Sequence, residues 1–367
     1  MEIEQFPNGQ GEGKRRFTEG HKGREGIGKL RFFWNEHAQD AHVPSQSMKA
    51  IRVEEFGEPE VLRLVELPDL KVSAGQILVR LHAIGVNPVE TYIRAGAYVH
   101  QAALPYTPGN DGAGEVAGVG EGVDSVQPGD RVFLSGSLTG TYAGFALCAP
   151  HHVHSLGAKA TFAEGAALGV PYATACRALF HRGNVQSGET VLIHGASGGV
   201  GSAAVQLARA EGLRVFGTAG SAAGLELVRT LGADRVFNHK DLVYRQAILD
   251  ATDGRGVDCI LEMLANINLG EDLRLLGQRG RVVVIGSRGP VEINPRETMM
   301  RDADIRGMML GNTPAADLAE IYRRLGEDLA EGRIRPVIGR EFPLVSAPDA
   351  HRAVMAPDAR GKIVLVP

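Results

Sequence analysis

The chain is poor in cysteine, in tryptophan, in long apolar runs and in charge of one sign. Its three cysteines, Cys148, Cys176 and Cys259, are odd in number, lie far apart and form no CxxC pair. They support neither a disulfide framework nor a cysteine zinc site, and a reducing cytoplasm is the expected setting. No apolar run approaches the roughly 18 residues that a membrane span needs. With 39 Lys and Arg against 43 Asp and Glu, the net charge is −4, which exerts no overall pull towards nucleic acid or an anionic membrane. Glycine is abundant instead. There are 48 in 367 residues, well above the usual share of about 7%, so tight turns and close backbone approaches are expected. The length suits about two domains.

Residues 1 to 47 stand apart. They mix glycine with seven basic and seven acidic residues and hold the only tryptophan, Trp34, with neither a signal-peptide core nor the acid-poor bias of a transit peptide. They read as a disordered extension, with an interaction arm around Arg31-Phe32-Phe33-Trp34 as the functional alternative. From Met48 to about residue 165 the pattern is of short alternating strands (KAIRVEEF, VLRLVELP, GQILVRLHAIGV, GAGEVAGVG, DRVFLSG), which predict an antiparallel, partly closed sheet. Asn87-Pro88 offers a helix start with proline in the first helical position, so VETYIRAG opens a short helix. After Ala163 apolar strands and helices alternate, and a parallel, doubly wound sheet is expected. A helix over Leu269 to Gln278 and a strand at RVVVIG close that unit. Beyond it, a long amphipathic helix over AADLAEIYRRLGEDLAEG and the terminal GKIVLVP are expected to return to the first sheet.

At the first strand of the α/β unit stands VLIHGASGGVG, Val191 to Gly201. A strand, a tight turn and a helix start direct free backbone N–H groups and the positive helix end to one spot, which suits a phosphate. Two chemistries use these letters. A-x-G-x-x-G, Ala196 to Gly201, is a dinucleotide fingerprint with its first glycine replaced; G-x-S-x-G, Gly195 to Gly199, is a hydrolase nucleophile elbow. Asp258 and His351 follow in the order a hydrolase needs. Against that reading, His351 lies inside a helical pattern, and Gly198, Gly199 and Gly201 are more close-approach glycines than an elbow requires. The dinucleotide reading is tested at the end of the second strand, RVFGTAG, where an NAD site carries an acid for the ribose hydroxyls. Here Gly217, Thr218, Ala219 and Gly220 stand instead, so a 2′-phosphate is not repelled and NADP(H) is favoured, with a structural glycine-rich turn or a site open to either cofactor as the alternatives. The HHVH run (His151, His152, His154) has the pattern of a partly solvated strand edge rather than of a metal site.

From Met48 onward the sequence resembles the zeta-crystallin type of NADPH:quinone oxidoreductase, in the zinc-free branch of the medium-chain dehydrogenase/reductase superfamily. The stretches that carry the likeness are GVNPVETYIRAG, LPYTPGND, GDRVF, GVPYATACRAL, HGASGGVG, GTAG, Asn238-His239, EMLAN, GRVVVIGSRG and INPRETM. The resemblance implies an α/β fold in which a GroES-like β-rich catalytic domain (48–165) sits beside a Rossmann NADP(H)-binding domain (166–308), with residues 309–367 returning to the former. By the same carry-over Tyr92 lies near the nicotinamide. Ser197, Gly198, Gly199 and Val200 form the pyrophosphate turn, and Gly220 and His239 flank the 2′-phosphate. Asn268, Ile285, Gly286, Ser287, Arg288, Met308, Met309 and Leu310 line the rest of the cofactor path. Some bacterial relatives have a lysine near the phosphate where this chain has Gly224, so phosphate affinity rests on His239 and backbone groups.

No metal is expected. Zinc-dependent relatives carry a cysteine at the position of Asn87 and a His-Glu pair at Asn110-Asp111, and an amide and a carboxylate are poor zinc ligands. The implied activity is NADPH-dependent reduction of quinones, ortho-quinones in particular, with a semiquinone as the one-electron route. Asn87 and Tyr92 would orient the carbonyl, while solvent or Tyr92 protonates the product. A 2-alkenal or enone reductase is the alternative enzyme. The resemblance also extends to AU-rich RNA binding and to a crystallin-type structural role, and it implies a homodimer or homotetramer.

Overall fold

The computed structural model of the protein describes residues 47–99 and 101–367. The reading of residues 1 to 47 falls outside the described residues, except that Ser47 opens a strand, Ser47–Arg52.

A strand covered by helices on both faces has no polar side, and TVLI at Thr190–Ile193 is buried at every position. Five further strands extend it into a parallel sheet. Across the sheet the order is Arg235–Asn238, Arg214–Ala219, Thr190–Ile193, Val257–Glu262, Leu276–Val284, Asp304–Gly307. In chain order this is 3-2-1-4-5-6, the Rossmann arrangement, whose crevice opens where the first and fourth strands lie side by side. The helix Gly199–Ala210 packs onto this sheet through Ala203, Ala204, Val205, Leu207 and Ala208, all buried. Its start can lie so close to the strand only because position 201 lacks a side chain. A Cβ on Gly201 would stand 2.2 Å from the Gly195 carbonyl oxygen.

The second sheet has seven strands. Ile338–Pro343, Lys362–Val366, Ile77–Val86, Asp111–Val119, Arg131–Ser135 and Val153–Ser155 lie in that order, and Phe145–Cys148 also pairs with Ile77–Val86. All its pairings are antiparallel except that of Ile338–Pro343 with Lys362–Val366. Ile77–Val86 is long enough to take Phe145–Cys148 at its beginning and Lys362–Val366 at its end. Alternate residues of its first half, Ile77, Val79 and Leu81, turn into a core with Val132, Leu134 and Tyr142. The two sheets meet at one backbone contact: the Gly361 N–H donates to Ser197 O at 2.8 Å, and Gly198 and Gly361 form a parallel bridge.

The fold is therefore the expected α/β type, a Rossmann sheet joined to a β-rich one. Two expectations differ: the first two strands, Ser47–Arg52 and Arg63–Pro68, pair with each other in a sheet of their own rather than in the larger one, and one helix is displaced. The helix expected over Leu269 to Gln278 spans Ala265–Leu275, and the next strand already begins at Leu276. A buried carboxyl sets the earlier start: Glu262 Oε1 accepts from the Leu264 N–H and from Asn268 Nδ2, fixing the chain where the helix begins. Among the described residues no helix is long and apolar enough to cross a membrane.

Candidate nucleotide and substrate site

The glycine turn lies at the C-terminal end of the first parallel strand. Ala196 N–H donates to Thr218 O at 2.8 Å and Gly198 N–H to Gly195 O at 3.0 Å, so Gly198 shapes the turn from within. Ser202 N–H closes the first helical turn on Gly198 O at 2.8 Å. The N–H groups of the first helical turn have no partner within the helix and point, with the helix dipole, towards the crevice. Ser197 and Val200 flank this end, both half-buried. Ser197 gives its carbonyl to Gly361.

At the end of the second strand, a Cβ on Gly220 would stand 2.5 Å from His239 Nε2 and 3.1 Å from Lys240 Cε. Any side chain at 220 evicts the imidazole. Gly220, His239 and Lys240 thus gather at one point, where an adenosine 2′-phosphate is expected, and Lys240 is a cation that sequence reasoning missed. Its one signal in the sequence is its place next to His239. Burial lowers the His239 imidazole below its ordinary value, and His194 and Lys240 lower it further. The position where relatives carry a lysine, Gly224, faces the same turn, with its Cβ site 3.2 Å from Ser197 Oγ.

The fourth and fifth strands supply the loops beyond. Glu262 O accepts from the N–H groups of Ile285 (2.9 Å) and Gly286 (3.2 Å), while Ala265 N–H donates to Gly286 O at 2.9 Å. Asn266 Oδ1 accepts from the Arg288 N–H and Ser287 Oγ donates to Gly289 O. Ile285 to Arg288 are thereby held against the start of the helix that carries Asn268. Met308 is buried, its N–H on Val284 O, with Met309 exposed and Leu310 half-buried beside it.

On the other side, Tyr92 lies on the short helix Pro88–Arg94, half-buried, and among the described residues no hydrogen bond holds its phenol. Asn87 is different. It is 2% exposed and both ends of its amide are committed. Oδ1 accepts from Lys362 Nζ; Nδ2 donates to Asp111 Oδ2 at 2.8 Å and Glu90 Oε1 at 3.3 Å. Lys362 Nζ also donates to Asp111 Oδ2 at 2.7 Å, with side chains 4% and 0% exposed. In this geometry the amide has no free donor to offer a substrate carbonyl. Burial pushes the Glu90 carboxyl above its ordinary range, with Lys362 opposing. Glu90 Oε2 accepts from Tyr142 OH at 2.7 Å, and the same hydroxyl lies 3.1 Å from His351 Nε2.

That last contact disposes of the hydrolase arrangement. His351 is buried against Tyr142, and burial drives its imidazole down to about 3. Asp258 accepts from the Thr190 N–H at the opposite end of the parallel sheet, where strands begin. A cavity of about 630 Å³ lies at that same end, between Thr190, Arg214 and Asp258, away from the strand ends at which such sheets bind ligands. In the HHVH run, His154 Nε2 sits 2.7 Å from Ser135 Oγ and stacks on Tyr322, half-buried as a sheet-edge residue.

Comparison with known proteins gives two family matches. Residues 73–173 match the alcohol dehydrogenase GroES-like domain, and residues 199–327 match the zinc-binding dehydrogenase family. Over 323 residues the chain is 49% identical to a quinone oxidoreductase of Rattus norvegicus, covering 87% of this chain and 98% of that protein. It is 47% identical to a quinone oxidoreductase of Homo sapiens over the same length and coverage. Among solved structures, that of Escherichia coli quinone oxidoreductase complexed with NADPH superposes with a TM-score of 0.80. That match has 28% identity, over 87% of this chain and 100% of that one.

The second family match raises the question of zinc, and the donor set answers it. The place that ligands would occupy is filled by the Lys362 ammonium between Asn87 and Asp111. An ammonium and an amide are not zinc ligands, and a dication there would face a buried positive charge. The residues do not fit zinc.

Proposed function

The chain belongs to the quinone oxidoreductase family of the medium-chain dehydrogenase/reductase superfamily, and from that premise we propose how its residues carry out the family's reaction. The protein is an oxidoreductase that uses NADPH to reduce quinones. The observation that carries this is the match over 87% of this chain and 98% of its relative, joined to a glycine turn whose N–H groups, with His239 and the Lys240 cation nearby, suit a 2′-phosphorylated dinucleotide.

When bound, NADPH supplies the reducing equivalents. The chain's own part is to hold it and to orient the acceptor. The first turn of helix Gly199–Ala210 takes the pyrophosphate on its N–H groups, with Ser197 at the rim. His239 and Lys240 take the 2′-phosphate. Asn268 and the loop Ile285 to Arg288, with Met308 to Leu310, border the nicotinamide end. Tyr92, whose phenol has no partner among the described residues, donates a hydrogen bond to a quinone carbonyl oxygen and orients the ring, and solvent delivers the protons. Asn87 acts at one remove, by fixing Lys362 and Asp111 behind that surface. No Lewis acid is needed, because a quinone carbonyl already accepts electrons and the reduced oxygen is delocalised.

The rest of the reading is that residues 48–165 with 309–367 form the catalytic half and 166–308 the nucleotide half. The protein works in the cytoplasm as a homodimer or homotetramer. Support for assembly comes from Asp304–Gly307, which closes the parallel sheet as an edge strand with Ile305 half-exposed; light scattering reads the mass. The central test is steady-state oxidation of NADPH and NADH with 9,10-phenanthrenequinone, a para-quinone and a 2-alkenal. The reading expects NADPH with the ortho-quinone to be fastest. Faster turnover of the alkenal overturns it in favour of C=C reduction. Tyr92→Phe is expected to raise the quinone KM and lower kcat/KM by about tenfold, the loss of one hydrogen bond of about 1.4 kcal/mol; unchanged kinetics remove the hydroxyl from the mechanism.

A further inference from the structure

At the crevice between the first and fourth strands, three buried polar side chains from distant parts of the chain converge. His194 directly precedes the glycine turn, Glu262 ends the fourth strand, and Asp272 lies on the helix that carries Asn268. Their exposures are 4%, 0% and 1%. His194 Nε2 is 2.9 Å from Asp272 Oδ1 and 3.7 Å from Glu262 Oε2, and its Nδ1 is 3.2 Å from Thr218 Oγ1 on the second strand. The three elements that border the cofactor path are tied together here by side chains.

Two oxygens of this cluster, Glu262 Oε2 and Asp272 Oδ2, are buried with no hydrogen-bond partner. Two ionised carboxylates so placed, without donors, would carry a large desolvation cost and repel one another. One oxygen of each carboxyl lies within 4.8 Å of the other, so a proton held by the pair removes one charge and relieves the repulsion. We propose that His194, Glu262 and Asp272 are positioning residues for the nucleotide, and that the clamp they form holds one proton whose loss opens it and weakens NADPH binding. The consequence follows from the contacts. Glu262 also fixes Leu264 and Asn268 through Oε1 and the loop at Ile285 and Gly286 through its carbonyl. A second negative charge on the pair pushes these elements apart and faces the pyrophosphate with an anion.

The proton's hold agrees with the surroundings. Burial, reinforced by Asp272, raises the Glu262 carboxyl to about 7, and burial raises Asp272 to about 7. The values belong to the pair rather than to either acid. Burial holds His194 below the ordinary imidazole value, so it stays neutral. The other charged and titratable groups around the cluster are Arg245 and Tyr244 on helix Tyr244–Asp250, Glu271 beside Asp272, and His239 and Lys240 after the third strand. Arg245 favours the ionised form of Asp272 and Glu271 opposes it; neither supplies a partner to the two orphan oxygens.

The inference rests on the nucleotide site proposed above. The test is the dissociation constant of NADPH, read from its fluorescence on the full chain at pH steps between 6.5 and 9, for the wild type, Glu262→Gln and Asp272→Asn. The wild type is expected to weaken above about pH 7 with a slope approaching tenfold per pH unit, the signature of one linked proton. Either variant keeps the neutral group at all pH values and is expected to give a flat profile. Parallel profiles in wild type and variants overturn the inference, as does a flat wild-type profile, which decides the matter alone if a variant fails to fold. Stoichiometric divalent metal in the purified wild type, lost in Glu262→Gln, overturns it too, because an ion would then supply the missing charge. A wild type that binds no NADPH at any pH instead defeats the site reading on which the inference stands.

Discussion

Asp111 and Glu262 are carboxyls of equal burial, each fully enclosed at the end of a strand that leads to the site, yet their companions differ. Asp111 has the Lys362 ammonium at 2.7 Å, the Asn87 amide at 2.8 Å and the Val170 N–H at 2.8 Å. Glu262 has a second acid, a neutral imidazole and an oxygen with no partner. In the first cluster the charge opposite the carboxylate is a side chain of the protein, Lys362. A proton exchanges with solvent, so the second varies with pH. The two clusters thus differ in where the neutralising charge comes from, the chain itself in one and a proton in the other.

The contrast is broken most severely by removing the fixed cation. Lys362→Met leaves Asp111 charged and buried without its partner, and is expected to cost about 3–5 kcal/mol in urea unfolding; a loss below about 1 kcal/mol would mean that the amide and N–H contacts suffice. Removing the charge as well, in Lys362→Met with Asp111→Asn, is expected to recover more than half of that loss, since the penalty lies in the unpaired charge rather than in a missing contact. On the other side, the acid pair has its sign in the opposite sense to an ordinary ion-paired carboxylate. Its raised folded-state values mean that its contribution to stability is full below about pH 4.5, is lost as the pH rises to about 7, and is flat above. Relative to wild type, Glu262→Gln is therefore expected to gain stability across that window, and a constant difference between the two unfolding curves would erase the distinction between the clusters. The smallest effect belongs to the rim of the second cluster. His239→Gln is expected to lower the preference for NADPH over NADH by about tenfold (~1.4 kcal/mol) with NADH kinetics unchanged.

What could be read from the sequence was what is local. VLIHGASGGVG declares a strand, a turn and a helix start within eleven residues, and the missing acid at Gly217 to Gly220 lies on the next strand, so the nucleotide half was legible with its cofactor. The order of strands followed from alternation of apolar runs and helices. The buried clusters were not legible, because their members are far apart in the chain and of types that mostly sit on surfaces. Nothing in GKIVLVP says that Lys362 meets Asn87, and nothing in EMLAN says that Glu262 meets His194. Asn87 shows the limit most clearly. Its position before a proline suggested a cap, its place in the motif suggested a substrate ligand, and its amide binds a lysine on the adjacent strand, 275 positions on in the chain. Lys240 escaped for a simpler reason: a lysine in a turn is ordinary until Gly220 is seen to leave room beside it.

The contact of Lys362 with Asn87 spans 275 positions, and the whole parallel sheet lies inside that interval. The nucleotide half is therefore an insertion into a sheet that needs both flanks of the chain, and it can fold from contiguous sequence while its neighbour cannot. Closing so long a loop is slow compared with the local pairing within the α/β unit. In refolding, helix content and a competent glycine turn are expected to return first, and turnover only after Gly361 and Lys362 have docked between the halves. The interval between those two signals measures how long the molecule exists as a nucleotide binder that is not yet an enzyme.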